Sequence, residues 1–121
     1  MWPRSASGYD PRALATDELT ALDVRVGTIV GAKVLRGARK PAFALSVDFG
    51  ELGTLSSTAE IADLYEIDQL VGLQVAAVVN LPPRKVAGFE SQVIVLAVDD
   101  GKSENVLLIP ERPVPDGSRV A

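Results

Sequence analysis

At 121 residues, with 47% hydrophobic and 23% charged residues, the chain has the size and composition of one soluble domain around a single core. It contains no cysteine and no histidine, which excludes disulfides, thiolate metal sites, cysteine nucleophiles and the commonest general base. A net charge of −4 argues against an indiscriminate polyanion binder. No apolar run reaches transmembrane length, and Met1 to Ser5 lack the apolar centre of a signal peptide, so a cytoplasmic protein without membrane insertion is expected.

Residues 1–16 hold Pro3, Gly8 and Pro11 without apolar periodicity and read as a flexible N-terminal extension; residues 17–121 read as one domain. Asp17 to Leu22 can form one helical turn, capped by Thr16 or Asp17. Val24 to Val34 reads as a long strand whose even positions make one face, with Gly27 and Gly31 marking a bend or close backbone approach on the other. A cationic connection, Leu35 to Pro41, leads to a second strand, in which Phe43, Leu45, Val47 and Phe49 alternate as core. Gly50 to Gly53 is a turn, and Thr54 to Ser57 a short third strand. Thr58 is expected to cap a helix carrying Ile61, Leu64 and Tyr65 on one side. The fourth strand spans Leu73 to Val79 and the fifth Gln92 to Val98. Asp99-Asp100-Gly101-Lys102 signals a hairpin turn, and Val106 to Ile109 a last short strand. The tail from Pro113 is turn-rich and then extended.

Between the fourth and fifth strands lies Asn80-Leu81-Pro82-Pro83-Arg84-Lys85-Val86-Ala87-Gly88-Phe89-Glu90-Ser91. Two prolines cannot donate to a sheet ladder, so the fourth strand ends there. They form a stiff segment that holds Arg84 and Lys85 out from the body, and Gly88 allows the chain to reverse. This rigid cationic loop is the best candidate for a working surface. Val24 to Val47 adds Arg25, Lys33, Arg36, Arg39 and Lys40 without one acid, so positive charge is gathered locally on an acidic chain.

The element order predicts an all-β chain, a five-stranded OB-fold β-barrel with a short helix between strands three and four, plus N- and C-terminal extensions. In such barrels the connections after strands one and four are usual working parts, and here both are basic. Other chemistry finds little support. Gly101-Lys102-Ser103 lacks the upstream glycine of a phosphate loop, where Leu96 stands instead. Asp99 and Asp100 suit turn chemistry, and Asp48 ends a strand. Ser56-Ser57-Thr58 has no base to activate a nucleophile. No catalytic residue, metal or cofactor is expected. Aromatic content is 5%, with Phe89 the one ring beside the cationic loop, so structured RNA read by shape and phosphate fits better than a single strand.

Leu22 to Ile29, Val47 to Thr54 with Ser57-Thr58, and Val78 to Ser91 resemble the CsaA-like proteins of the tRNA-binding-domain family, over about residues 19 to 121. The resemblance implies a non-enzymatic OB-fold homodimer that binds tRNA. It also implies an alternative, an export-related chaperone that holds unfolded preproteins in an apolar cleft. It places Asn80, Arg84, Lys85 and Ser91 in an RNA-facing loop, Ser57 in the matched hydroxyl stretch, and Arg39 and Lys40 in the basic first connection. For the chaperone, Leu81, Pro82, Pro83 and Phe89 could line the cleft. Glu60, Asp63 and Glu90 depart from the family pattern, and each adds negative potential near the expected groove.

Overall fold

The computed structural model describes residues 21–102 and 104–120; the expectation for residues 1–16, and most of that for a turn at 17–22, lies outside them. Five strands form the main sheet: β1 (Val24–Val34), β2 (Phe43–Asp48), β3 (Thr54–Ala59), β4 (Gln74–Val78) and β7 (Ile94–Val95), in the order β3-β2-β1-β4-β7. The sheet curls until its two ends meet, giving the expected nearly closed five-stranded barrel. Phe43, Leu45, Val47 and Phe49 are all buried, as their alternation predicts. Ile29, Val75, Ala77, Val93 and Val95 fill the same core.

β1 does most to curl the sheet. Residues 24–28 pair with β4 and residues 28–34 with β2. A register shift between Ile29 and Gly31 leaves Val30 half exposed at 50%. A bulge adds a residue to one strand and strengthens its local twist. The expected even-numbered core face is corrected: Ile29 is fully buried and Val30 and Val34 are exposed, although Val26 is buried and Ala32 packs against the core. Gly27 marks a close approach, because a Cβ there would stand 2.7 Å from the Phe49 ring.

Four further expectations are corrected. β3 runs to Ala59, with Thr58 paired to Ala44, so Thr58 is a strand residue and not a helix cap. The short helix, α1, is Ile67–Leu70, opened by Glu66, whose N–H donates to Gln69 Oε1 at 2.7 Å. It still lies between strands three and four and buries Leu70 in the core, while Ile61, expected on the helix, is buried from the segment before it. The stretch expected as a loop contains a two-stranded hairpin, β5 (Arg84–Val86) and β6 (Phe89–Ser91). The fifth strand breaks at Leu96, after which β8 (Ala97–Asp99) pairs with β9 (Asn105–Leu107).

Closure between β3 and the β6–β7 segment uses side chains as well as backbone. Ser56 O accepts from Gln92 N at 2.9 Å and Val93 N at 3.0 Å. The Ser57 hydroxyl accepts from Val95 N at 3.2 Å, and the Ser91 hydroxyl accepts from Thr58 N at 3.1 Å and donates to Val93 O at 2.9 Å. The C-terminal tail is also integral. Gly117 N donates to Val26 O, Val26 N to Ser118 O, and Val120 N to Val24 O. Thr28 Oγ1 donates to Asp116 Oδ1 at 2.6 Å, and Gln74 is bonded to Val114 and Asp116.

Three outcomes follow from these contacts. Ser57→Ala strands the buried Val95 N–H and should cost about 1–3 kcal/mol in chemical denaturation. Gly117→Ala places a Cβ 2.6 Å from Phe49 O at a φ of 91°, so its thermal midpoint should fall by several degrees, while Gly53→Ala, with open space around it, falls less. Asp23 is held below the ordinary aspartate value of 3.8, first by its hydrogen bond from Arg25 and further by the nearby Arg119 charge, against burial. A depressed carboxyl stabilises the fold above its unfolded value and loses that contribution as pH falls through its folded value. The gap in thermal midpoint between wild type and Asp23→Asn should therefore be steady from pH 7 to 5 and close below about pH 3.8.

Candidate nucleic-acid interface

Two basic connections reach the same region of the barrel. The first leaves β1 after Val34 and is closed by Leu35 N donating to Ala42 O at 3.0 Å. Lys33, Arg36, Arg39 and Lys40 are all exposed around it. Gly37 turns the connection with a φ of 86°, and a Cβ on it would lie 3.8 Å from Ala87 Cβ. The second is the β5–β6 hairpin, whose turn is Ala87-Gly88. The two connections thus lie close to one another at Gly37 and Ala87. Lys33 Nζ lies 5.9 Å from the Phe89 ring centroid, a contact between β1 and the hairpin.

Ala87 and Gly88 have φ values of 51° and 82°, as a two-residue turn of type I′ requires. Ala87 is the one non-glycine residue with positive φ among the described residues. A left-handed backbone costs an L-residue about 1–2 kcal/mol. Strain of this kind collects where surrounding structure over-determines the backbone, and the pairing of Val86 with Phe89 on either side of the turn provides such a constraint here.

Strand alternation then separates two neighbours in sequence. Arg84 pairs with Ser91, Lys85 with Glu90, and Val86 with Phe89. Arg84 and Val86 share the face that Phe89 and Ser91 occupy; Lys85 and Glu90 share the opposite face. The arginine face borders a cavity of about 370 Å³, lined also by Thr58, Glu60, Ile61, Ile94 and Asn105. Asn105 Nδ2 donates to Glu60 O at 3.0 Å, which fixes the backbone at the acid. Asp63 is exposed on the turn that follows.

The other expected site residues divide into those at the surface and those beneath it. Ser57 and Ser91 are buried, at 0% and 2% exposure, with their hydroxyls committed to the closure bonds. They support the hairpin from beneath and do not face solvent. Asn80 is exposed, yet its Oδ1 accepts from Asp23 N at 2.9 Å and its Nδ2 donates to Ala21 O at 2.7 Å, which clips the end of β4 to the entry of β1. Leu81, Pro82 and Pro83 are exposed on the connection into β5, and Phe89 is half-buried; none of the four lines the 370 Å³ cavity. Lys33 and Arg36 belong to the surface although only the acid-free run from Val24 to Val47 pointed to them. Thr58 and Asn105 carried no sequence signal, since they join the cavity through pairing of distant segments.

Electrostatically the surface is open. Among the described residues, ion pairs join Arg25 to Asp23, Arg119 to Asp23, and Arg112 to Glu111. None holds Lys33, Arg36, Arg39, Lys40, Arg84 or Lys85. Asp99 and Asp100 accept turn N–H groups at 2.8 and 2.7 Å, and Asp48 accepts from Gly50 N at 2.9 Å. Among the described residues no group of three or more acids could hold a metal ion, and no helix is long and apolar enough to cross a membrane.

Residues 24–119 match the sequence family described as "Putative tRNA binding domain". The methionine–tRNA ligase of Methanothrix thermoacetophila is 43% identical over 101 residues, covering 84% of this chain and 14% of the ligase. That of Methanococcoides burtonii is 39% identical over 102 residues, covering 84% of this chain and 15% of the ligase. The chain thus spans about a seventh of the length of these relatives. Among solved structures, the chaperone CsaA of Bacillus anthracis superposes with a TM-score of 0.86 at 40% identity, covering 91% of this chain and all of CsaA. The CsaA chaperone protein of Picrophilus torridus gives 0.83 at 34% identity, covering 90% and 100%. Since the family match runs from the first residue of β1 into the tail strapped along that strand, the chain belongs to the tRNA-binding-domain family, with CsaA and the ligase-borne modules as its relatives.

Proposed function

We propose that this chain is a non-enzymatic module that binds tRNA or another structured RNA through the joined surface of its two basic connections. The observation that carries the reading is the proximity of Gly37 to Ala87, with Lys33 Nζ 5.9 Å from the Phe89 ring centroid, which sets the run of Arg36, Arg39 and Lys40 beside the hairpin of Arg84 and Lys85. Six cations without an ion pair among the described residues suit phosphates spaced along a folded backbone. In this reading Arg39, Lys40, Arg84 and Lys85 meet phosphate, Asn80 fixes the root of the proline segment, and Ser57 and Ser91 hold the hairpin in place. The working unit is residues 17–121, it needs no cofactor, and it acts in the cytoplasm, where tRNA is. Val98, Val106, Leu108 and Ile109, exposed on and beside β8–β9, supply an apolar surface for the homodimer.

A second reading is favoured by a different observation, the names of two close structural relatives as CsaA chaperones. An exposed apolar surface can take an unfolded preprotein as well as a second copy. Leu81, Pro82, Pro83 and Phe89 would then extend the client contact beside the hairpin. Salt separates the readings. Phosphate contacts weaken as counterions are added back, whereas apolar contacts do not.

Titration of bulk tRNA at 50 and 200 mM salt should show affinity falling about a hundredfold if some four phosphates are neutralised. Arg84→Glu with Lys85→Glu should abolish binding at both salts, with the thermal midpoint unchanged. Unaltered affinity in that double variant would remove the hairpin from the interface. Salt-insensitive suppression of a client protein's aggregation would favour the chaperone reading instead.

A further inference from the structure

A carboxylate on a phosphate-binding surface is repulsive unless it has something to accept, and Glu60 stands where it could accept from a base. It lines the same cavity as Arg84, yet the two make no ion pair. The same cavity is lined by the apolar side chains of Val86, Ile61 and Ile94, and by Thr58 and Asn105. The cavity's volume of about 370 Å³ lies within the range of ordinary small-molecule pockets and exceeds that of one base. Asn105 tethers the backbone of Glu60 at 3.0 Å, so the acid is carried on a fixed point.

We propose that this cavity is a pocket for a single unstacked guanine, read by Glu60 and held from the facing wall by Arg84. Of the four bases, guanine alone presents two adjacent donors, N1–H and N2–H, on its Watson–Crick edge. An ionised carboxylate is acceptor-only, with two oxygens that match that pair. Adenine and cytosine each present one donor beside an acceptor, and uracil a donor between acceptors, so each sets an acceptor against the carboxylate. Apolar walls take the base faces, and the Arg84 guanidinium either stacks or meets the attached phosphate. Single-stranded loops and ends of a folded RNA supply such bases, so the pocket would add base selectivity to a surface that otherwise reads phosphate. This inference rests on the RNA-binding reading for its biological ligand, but the pocket can be tested without RNA.

The test is titration of the full chain with GMP, AMP, CMP and UMP, followed by backbone amide shifts, in wild type and Glu60→Gln. Wild type should prefer GMP by about fivefold or more, the discrimination expected of a two-bond base contact. Shifts should centre on Glu60, Val86 and Asn105. Glu60→Gln should remove the preference and leave the other three nucleotides within about twofold. Equal affinity for all four, or a Glu60→Gln variant that tightens all four alike, would show that the acid merely repels phosphate and would overturn the proposal. A parallel comparison of tRNA with a guanine-free single-stranded oligonucleotide separates the sources. GMP preference without tRNA binding keeps the pocket and sinks the RNA reading; tRNA binding without GMP preference does the reverse.

Discussion

The structure depends on how the two ends of the sheet are joined. β3 and the segment after β6 do not share a long ladder, because the chain must turn from the hairpin into β7 within three residues. Two buried hydroxyls bridge the gap. Ser57 takes the Val95 N–H and Ser91 takes the Thr58 N–H, so backbone groups that a regular ladder would have paired are still satisfied. Leaving either without a partner in this interior would cost about 1–3 kcal/mol, a sizeable share of the stability of a small domain. A serine is small enough to sit at the seam and can donate and accept at once. The same bonds fix the last residue of β6, and with it the root of the hairpin that carries Arg84 and Lys85.

The hairpin is therefore constrained at three points. Ser91 pins its root to β3, Asn80 clips the preceding connection to the start of β1, and Gly37 lies close to its tip at Ala87. The proline pair between Asn80 and Arg84 removes most remaining freedom. A surface held this way loses little entropy when it binds, which matters for cations on long side chains that already give up rotamers. The positive φ of Ala87 fits this picture. Asparagine or glycine would adopt the turn more easily.

Much of the barrel could be read from residue pattern, and the failures have specific physical causes. Alternation at Phe43, Leu45, Val47 and Phe49 is a period-two signal that any half-buried strand shows, and it was reliable. β1 misled because one bulged residue, Val30, shifts the phase, and bulges leave no mark in the spacing of valines. Thr58 misled because a hydroxyl before an apolar cluster suits a helix start and a strand equally; long-range pairing with Ala44 decided it. β5 and β6 are three residues each, too short for periodicity to register, so Arg84 and Lys85 read as neighbours on one loop while the pleat sends them to opposite faces. That the two basic connections meet is a tertiary fact. Charge segregation suggested it, and only the Gly37–Ala87 proximity places them side by side.

Charge on this molecule then works at two ranges. At a distance, a polyanion meets a chain of net charge −4, and the approach is favourable only toward the acid-free run and the hairpin. Within about 10 Å, the screening length at ordinary ionic strength, individual acids beside those cations decide what is accepted. Glu90 opposes Lys85 across the hairpin, and Glu60 shares a cavity with Arg84. Were those acids absent, the surface would attract any phosphate chain with similar strength. In the proposed RNA-binding reading, a ligand would bring its phosphates to the cations while giving the carboxylates donors or keeping clear of them. A rigid hairpin makes that requirement geometric, because neither charge can move far to accommodate a poor match.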